Sequence, residues 1–66
     1  MTIQYLARRL HLPAGEVLER QVVSVVGDGV IQWHSFETEC HSMLLVNDLF
    51  LENDENGALL VSSFSL

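Results

Sequence analysis

The sequence predicts an all-β protein: a small antiparallel β-roll, sandwich or half-open barrel of five to six short strands, in one domain spanning residues 1–66. Val, Ile, Leu and aromatic residues are grouped in short runs, and breaks rich in Gly, Pro, Asn and Asp separate these runs at hairpin spacing. A chain of 66 residues buries only roughly 60% of the surface that its unfolded form exposes, so we expect marginal stability.

Four breaks predict chain reversals, because their residues preset or tolerate the dihedral angles of turns. Three are clear, at residues 13–15, 27–29 and 52–57, and the last of these is expected to be an acidic, solvated hairpin tip. Asn47 and Asp48 give a weaker signal for a tight hairpin loop, since both residue types tolerate positive φ. The apolar runs between the breaks are the predicted strands: residues 3–12, 16–26, 30–36, 42–46, 49–51 and 58–64.

The clearest predicted hairpin is "VVSVVGDGVIQW". In the first strand Val23 and Val25 share one face, and in the second strand Ile31 and Trp33 do the same. This face is apolar, whereas the residues between them form a mixed face. We therefore expect these four side chains to point into the core.

The residues before this hairpin do not keep the same phase. Val17 would share a face with Glu19 and Gln21, which predicts either a bulge near Arg20 or a strand that runs past the core.

An alternative prediction is an α+β fold with an N-terminal helix. Ile3, Leu6, Ala7 and Leu10 fall at helical spacing behind Thr2, which is a plausible N-cap. Together with "PAGEVLER", a helix over residues 2–12 would resemble a helix-turn-helix. The glutamates of the second helix would then face a phosphate backbone, which disfavours this version as a nucleic-acid binder.

Charge and cysteine content limit the possible partners. Nine acidic residues against three arginines and no lysine give a formal charge of −6, which repels nucleic acid and anionic lipid surfaces. Cys40 is the single cysteine, so no disulfide within the chain is expected. The sequence has neither a signal-peptide pattern nor an apolar run of membrane-spanning length, and we expect a soluble, cytoplasmic protein with no nucleic-acid or membrane partner.

The segment "HSFETECH" at residues 34–41 concentrates potential metal ligands. In an extended chain, Glu37, Glu39 and His41 would point one way while His34 and Cys40 point the other, so the ligands could not converge on one ion. The spacing also matches no established metal motif. We predict an acidic, solvent-facing connector, and Glu37, Glu39 and His41 are the alternative metal ligands.

Other reactive residues have structural interpretations. His11 has no identifiable nucleophile and orienting acid, so it is predicted to be a surface or edge histidine. Two glutamates near Cys40 should raise the thiol pKa, which favours an unreactive, partly buried residue.

The large apolar residues and the arginines are also predicted to have structural roles. Trp33 and Phe36 are predicted to lie in the core, because so small a domain needs its large apolar side chains. The arginines, which could form an anion site, are more simply explained by cross-strand pairs with the glutamates of the second strand. The residues concerned are Arg8, Arg9, Arg20, Glu16 and Glu19.

Residues 9–36, "RLHLPAGEVLERQVVSVVGDGVIQWHSF", resemble the opening strands of amidohydrolase-superfamily enzymes, which build a small β-sandwich beside a catalytic barrel. The matching positions are Gly15, Val17, Leu18, Val22, Val23, Val25, Asp28, Gly29 and Ile31. The family's H-x-H metal motif, its carbamylated lysine and its barrel are absent from this sequence. The resemblance therefore implies a small β-sandwich or roll, and it implies no activity.

The sequence predicts a non-enzymatic protein-interaction or self-associating module, in which apolar strands around "QVVSVV" and "ALLVSSFSL" are buried in a homo-oligomer or against another protein. No catalytic residue and no cofactor are predicted. A small-ligand or metal-binding protein that uses residues 34–41 is the alternative, and a helix-turn-helix protein is the third class.

Overall fold

The structure is a computed structural model that describes residues 2–27, 29–36 and 43–66. All regular secondary structure within these residues is β. The five strands are β1 (Thr2–His11), β2 (Val17–Val26), β3 (Gly29–Ser35), β4 (Met43–Asn53) and β5 (Leu59–Ser65). The all-β prediction is confirmed. No helix long and apolar enough to cross a membrane occurs in this part of the chain.

The alternative of a helix over residues 2–12 is wrong. β1 is an extended strand that pairs with β2 on one side and with β4 on the other. Of the four residues at helical spacing, Ala7 and Leu10 are the two that are buried. Strand pairing on both sides of β1 overrides the local helical pattern.

The strands form a closed barrel in the order β1, β2, β3, β5, β4. β1 and β4 are parallel, and the other neighbours are antiparallel. Among the described residues, one residue pair joins β3 to β5, Gly29 with Leu60. The structure is therefore a barrel, but a closed one and not the half-open barrel predicted. The prediction of a purely antiparallel sheet is wrong for β1 and β4, which run parallel.

The core lies inside the barrel and is built from aliphatic residues of β1, β2 and β4. Its buried members are Ala7, Leu10, Val23, Val25, Val46, Leu49 and Leu51. Half-buried side chains of β1, β2, β3 and β5, together with Leu12 after β1, pack against them, and Trp33 is one of these. The inward positions predicted for Val23, Val25 and Trp33 are thereby confirmed. Phe36 is half-buried outside this cluster, so its predicted core position is wrong.

Two of the predicted turns are present with the expected chemistry. At residues 13–15, Gly15 adopts a φ of 104°, and the Leu12 N–H donates to the Glu16 carbonyl at 2.8 Å. In the acidic turn before β5, the Asp54 carboxylate accepts the N–H groups of Asn56 and Ala58. The turn predicted at Asn47 and Asp48 is wrong, because β4 continues through both residues.

Three neighbouring strands change phase at the same level of the barrel. Inward-facing residues are three positions apart instead of two, from Ala7 to Leu10 on β1 and from Val46 to Leu49 on β4. On β2 the same step separates half-buried Leu18 from buried Gln21. The cross-strand registers hold above and below this level, but neither ladder pairs Arg8. We call this shared level the bend.

The irregularity predicted near Arg20 belongs to the bend. Arg20 has a φ of 56° and is the one non-glycine residue with positive φ among the described residues. No residue is inserted between β1 and β2 there, because both strands shift together. The register shift of β2 lies instead between Ser24 and Val25, opposite β3.

Two leucines of β4 should differ strongly in how much they contribute to the free energy of unfolding. Leu49 is fully buried whereas Leu45 is 67% exposed, so Leu49→Ala should lower the free energy of unfolding by about 2–5 kcal/mol. Leu45→Ala should change it by about 0.5 kcal/mol or less. Urea denaturation of both variants measures the difference. Similar losses for the two leucines would contradict this description of the core.

Candidate functional site

Most of the predicted metal segment lies outside the described residues. The potential ligands Glu37, Glu39 and His41, together with Cys40, belong to this part, and their roles stay predictions. His34 is described: it is exposed on β3, and its Nδ1 lies 3.0 Å from the backbone oxygen of Ser35. Among the described residues, no three His, Cys, Asp or Glu side chains are grouped in a way that could hold a metal ion.

A polar network is centred on Asp48, one of the two residues that the bend turns outward on β4. Arg9 Nε lies 2.8 Å from Asp48 Oδ1, and Arg9 Nη2 donates to Oδ2 at 3.1 Å, so the pair is bidentate. His11 Nε2 lies 2.8 Å from Oδ1, and Ser65 Oγ donates to Oδ2 at 3.3 Å. Arg9 and Ser65 are the residues paired with Asp48 across the two flanking ladders. The network therefore joins β1, β4 and β5.

These partners lower the pKa of the Asp48 carboxyl. The hydrogen bond with His11 contributes most, followed by the hydrogen bond with Arg9, and both stabilise the charged carboxylate. Partial loss of hydration opposes them, and the charge of Arg9 and the Ser65 hydroxyl add smaller lowering effects. Asp48 is thus held as an anion that accepts hydrogen bonds from three side chains.

The network has the residue types of a Ser-His-Asp triad but a different arrangement. In a triad the histidine lies between the acid and the nucleophile and accepts the serine proton. Here His11 and Ser65 each contact Asp48, on different carboxylate oxygens. The His11 ring also stacks on Phe50, with centroids 4.2 Å apart and an interplanar angle of 16°. This geometry orients the histidine and supports cohesion between strands.

The cross-strand pairs predicted for the arginines are wrong for Arg9. Glu19 is its neighbour on the β1–β2 ladder, but the guanidinium instead contacts Asp48 on the other side of the strand. A bidentate contact with a partly shielded carboxylate has better geometry than an exposed pair.

All three arginines of the chain line one open groove, which lies over the bend and has a volume of about 960 Å³. Arg20 sits over the ring of Phe36, with its guanidinium carbon 5.7 Å from the ring centroid. One carboxylate, that of Glu19, and three leucine side chains lie on the same wall. The residues used below are Leu6, Arg8, Arg9, Glu19, Arg20, Leu45 and Leu66.

The last part of β5 forms a second candidate surface. Antiparallel register counted from the Gly29–Leu60 pair carries the residues of β5 after Leu60 beyond the first residue of β3. On the opposite side β5 remains paired with β4 as far as Ser65, which pairs with Asp48. Residues 62–65, which we call the β5 edge, therefore have a strand on one side only among the described residues.

The exposure predicted for two apolar segments is correct for one of them. In "QVVSVV", residues 21–25 are all buried, so the predicted exposure there is wrong. Closure of the barrel places both neighbours of β2 against it. In "ALLVSSFSL", residues 62–66 are exposed as predicted, including Phe64 at 47% and Leu66 at 83%.

Comparisons with protein-family models, with curated proteins and with solved structures find no match to this chain. The resemblance of residues 9–36 to the opening strands of amidohydrolase-superfamily enzymes therefore stays a prediction.

Sequence reasoning missed Asp48 as the centre of a network and the grouping of the arginines in one groove. The available signal was the three-residue spacing between inward residues, which occurs in β1, β2 and β4 alike. In a strand, this spacing places two consecutive side chains on the outer face. Those outward pairs are Arg8 with Arg9, Glu19 with Arg20, and Asn47 with Asp48.

The Asp48 network predicts a specific dependence of stability on pH. Because folding lowers the pKa of Asp48 below its usual value of 3.8, this carboxylate stabilises the fold above that pH. The contribution is lost as the pH falls through the lower, folded-state value. The difference in free energy of unfolding between wild type and Asp48→Asn should thus be largest near neutral pH and should shrink in acid.

Chemical denaturation at a series of pH values measures this difference. Glu55→Gln removes one carboxylate from the exposed turn before β5 and is the matched control. A difference for Asp48→Asn that stays constant down to the acid limit, or one that Glu55→Gln reproduces, would contradict the role given to the network.

Proposed function

We propose that this chain is a non-enzymatic, self-associating module in which the β5 edge of one copy pairs with the β5 edge of a second copy. The observation that carries the proposal is the single residue pair between β3 and β5, which leaves residues 62–65 with one neighbouring strand within the described chain. An unpaired strand edge presents a row of backbone N–H and C=O groups that another strand can bond.

The chemistry of the β5 edge favours pairing. Residues 58–66, "ALLVSSFSL", contain no charged residue and no proline, and these are the features that usually protect an edge from association. Serine and phenylalanine side chains are exposed there, and Phe64 is 47% accessible. A second strand along this edge would cover apolar surface and would also form hydrogen bonds with the backbone groups of residues 62–65.

Electrostatics favours this surface over others on the same molecule. With a net charge of −6, two copies repel one another over most of their surfaces. At the uncharged β5 edge, two copies can approach one another without placing carboxylates side by side. Two copies of β5 related by a two-fold axis would run antiparallel, which is the self-complementary arrangement expected of a symmetric dimer.

The small size of the domain also supports association. A barrel of 66 residues has limited apolar area to bury, and a partner that binds only the folded form adds to its stability. The Asp48 network supports the non-enzymatic part of the proposal, because Ser65 contacts the carboxylate of Asp48 and its hydroxyl is used in that contact.

The test is sedimentation equilibrium of wild type and Ser63→Lys over a range of concentrations. Ser63 is exposed on the β5 edge, and two-fold pairing would place two added lysines close together in a desolvated contact. We expect wild type to dimerise and the variant to dissociate about tenfold more readily, which corresponds to about 1.4 kcal/mol.

Asn56→Lys adds the same charge at an exposed turn position and should leave the dimer intact. A wild-type chain that remains a single protomer at about 1 mM, where even a contact worth about 4 kcal/mol would be detected, would refute self-association. Equal weakening by both lysine variants would show that net charge, and not the β5 edge, governs the interaction.

A further inference from the structure

The groove over the bend reverses the electrostatic character of the molecule. The chain carries nine acidic residues and three arginines, yet all three arginines line this one groove. Glu19 is the only acidic residue among the described residues that lines it with them. Placing every cation of an acidic protein in one concavity focuses a positive field there.

Two of the three arginines have charges that no carboxylate of the described residues balances by an ion pair. Arg9 is held by Asp48, whereas neither Arg8 nor Arg20 makes an ion pair or a side-chain hydrogen bond with any residue that the structure describes. Arg8 and Arg20 also occupy corresponding positions of β1 and β2, at the level that the ladder skips, and both line the groove. Like charges at corresponding positions destabilise a sheet, and an anion between them would remove this repulsion.

The backbone at Arg20 adds a second, independent cost at the same place. Its φ of 56° is a conformation that glycine adopts freely and that an arginine adopts only with strain. Strained residues of this kind are concentrated at binding and catalytic sites, where the surrounding structure holds them in place. The Arg20 guanidinium carbon lies 5.7 Å from the centroid of the Phe36 ring, a cation–π contact that favours this position of the side chain without a ligand.

Apolar side chains lie beside these charges. Leu45 is 67% exposed and Leu66 is 83% exposed, and both line the groove together with Leu6. Large aliphatic side chains exposed next to convergent polar groups are characteristic of binding sites for small molecules.

We propose that the groove binds an anionic amphiphile, a carboxylate or phosphate monoester carried on an alkyl chain. The anionic head lies between Arg8 and Arg20, whose guanidinium groups match the paired oxygens of either anion. The alkyl chain covers the three leucines. Glu19, on the groove wall, opposes the anion and limits its affinity. Leu66 of the groove follows the β5 edge in sequence, but the charged residues of the groove lie on β1 and β2. The inference goes beyond the self-association proposed above.

The test uses octanoate and octyl phosphate as probes, titrated into the isotopically labelled full chain and followed by backbone amide shifts. Acetate and inorganic phosphate carry the same heads without the alkyl chain, and octylammonium carries the alkyl chain on a cation. We expect at least one of the octyl anions to bind, with shifts at residues 6–9, 19–20 and 45–47. Acetate, inorganic phosphate and octylammonium should each bind about tenfold more weakly or not at all.

Three substitutions test whether the arginines and Glu19 change the affinity in the expected direction. Arg8→Gln and Arg20→Gly should each weaken binding about tenfold, since each removes a charge-assisted hydrogen bond. Arg20→Gly also relieves the positive φ, so a loss of binding with an unchanged melting temperature cannot be attributed to unfolding. Glu19→Gln should strengthen binding severalfold, whereas Glu55→Gln, an identical change in charge on the exposed turn, should not.

Four results would overturn the proposal. They are no binding of either octyl anion, equal binding of octylammonium, equal binding of acetate and octanoate, and binding that survives both arginine substitutions. Repeating the titration on the Ser63→Lys variant separates the two proposals, because the groove should bind its ligand whether or not the β5 edge pairs.

Discussion

The structure depends on one backbone constraint, the bend that β1, β2 and β4 make at the same level. A straight strand alternates its side chains strictly, and a sheet of such strands is only gently twisted. An extra residue in one strand alone would shift its register against both neighbours. Because each of the three strands has one extra outward-facing residue at the same level, Ala7 still pairs with Gln21 and Leu10 still pairs with Leu18. The three strands therefore change phase together, and β1 keeps its ladders to both β2 and β4 on either side of the bend.

The same constraint creates the polar surface. Each strand that passes through the bend presents two consecutive side chains outward, so polar groups from three strands meet on the outer face. On one side of the bend this brings Arg9 against Asp48, with His11 on the same carboxylate. On the other side it places Arg8 and Arg20 on the wall of one groove. The network and the groove are thus two results of one change in phase, and neither needs a loop to position its residues.

The features that the sequence predicts well are local. Alternation identifies Val23 and Val25 as inward, and the glycine- and asparagine-containing breaks mark two of the turns, because period and turn chemistry act over a few residues. The bend escapes prediction, since a three-residue step looks like helical spacing in β1 and like lost phase in β2. In β4 it falls on Asn47 and Asp48, whose residue types imitate a turn. The partner of Arg9 lies 39 positions away on a parallel strand, and no local pattern specifies such a pairing.

Closure of the barrel and freedom of the β5 edge have a common origin. The register that joins β3 to β5 at Gly29 and Leu60 carries the rest of β5 past the start of β3. Within the described part of the chain, the pairing that completes the ring therefore leaves the end of β5 with β4 as its one neighbour. This is the part of the sheet with the fewest ladder bonds, and local opening should begin where such bonds are few. A partner strand at that edge would hold the end of β5 against β4, and with it the Ser65 contact to Asp48. Association would then stabilise the fold at its weakest join, and the stability of the domain would depend on its concentration.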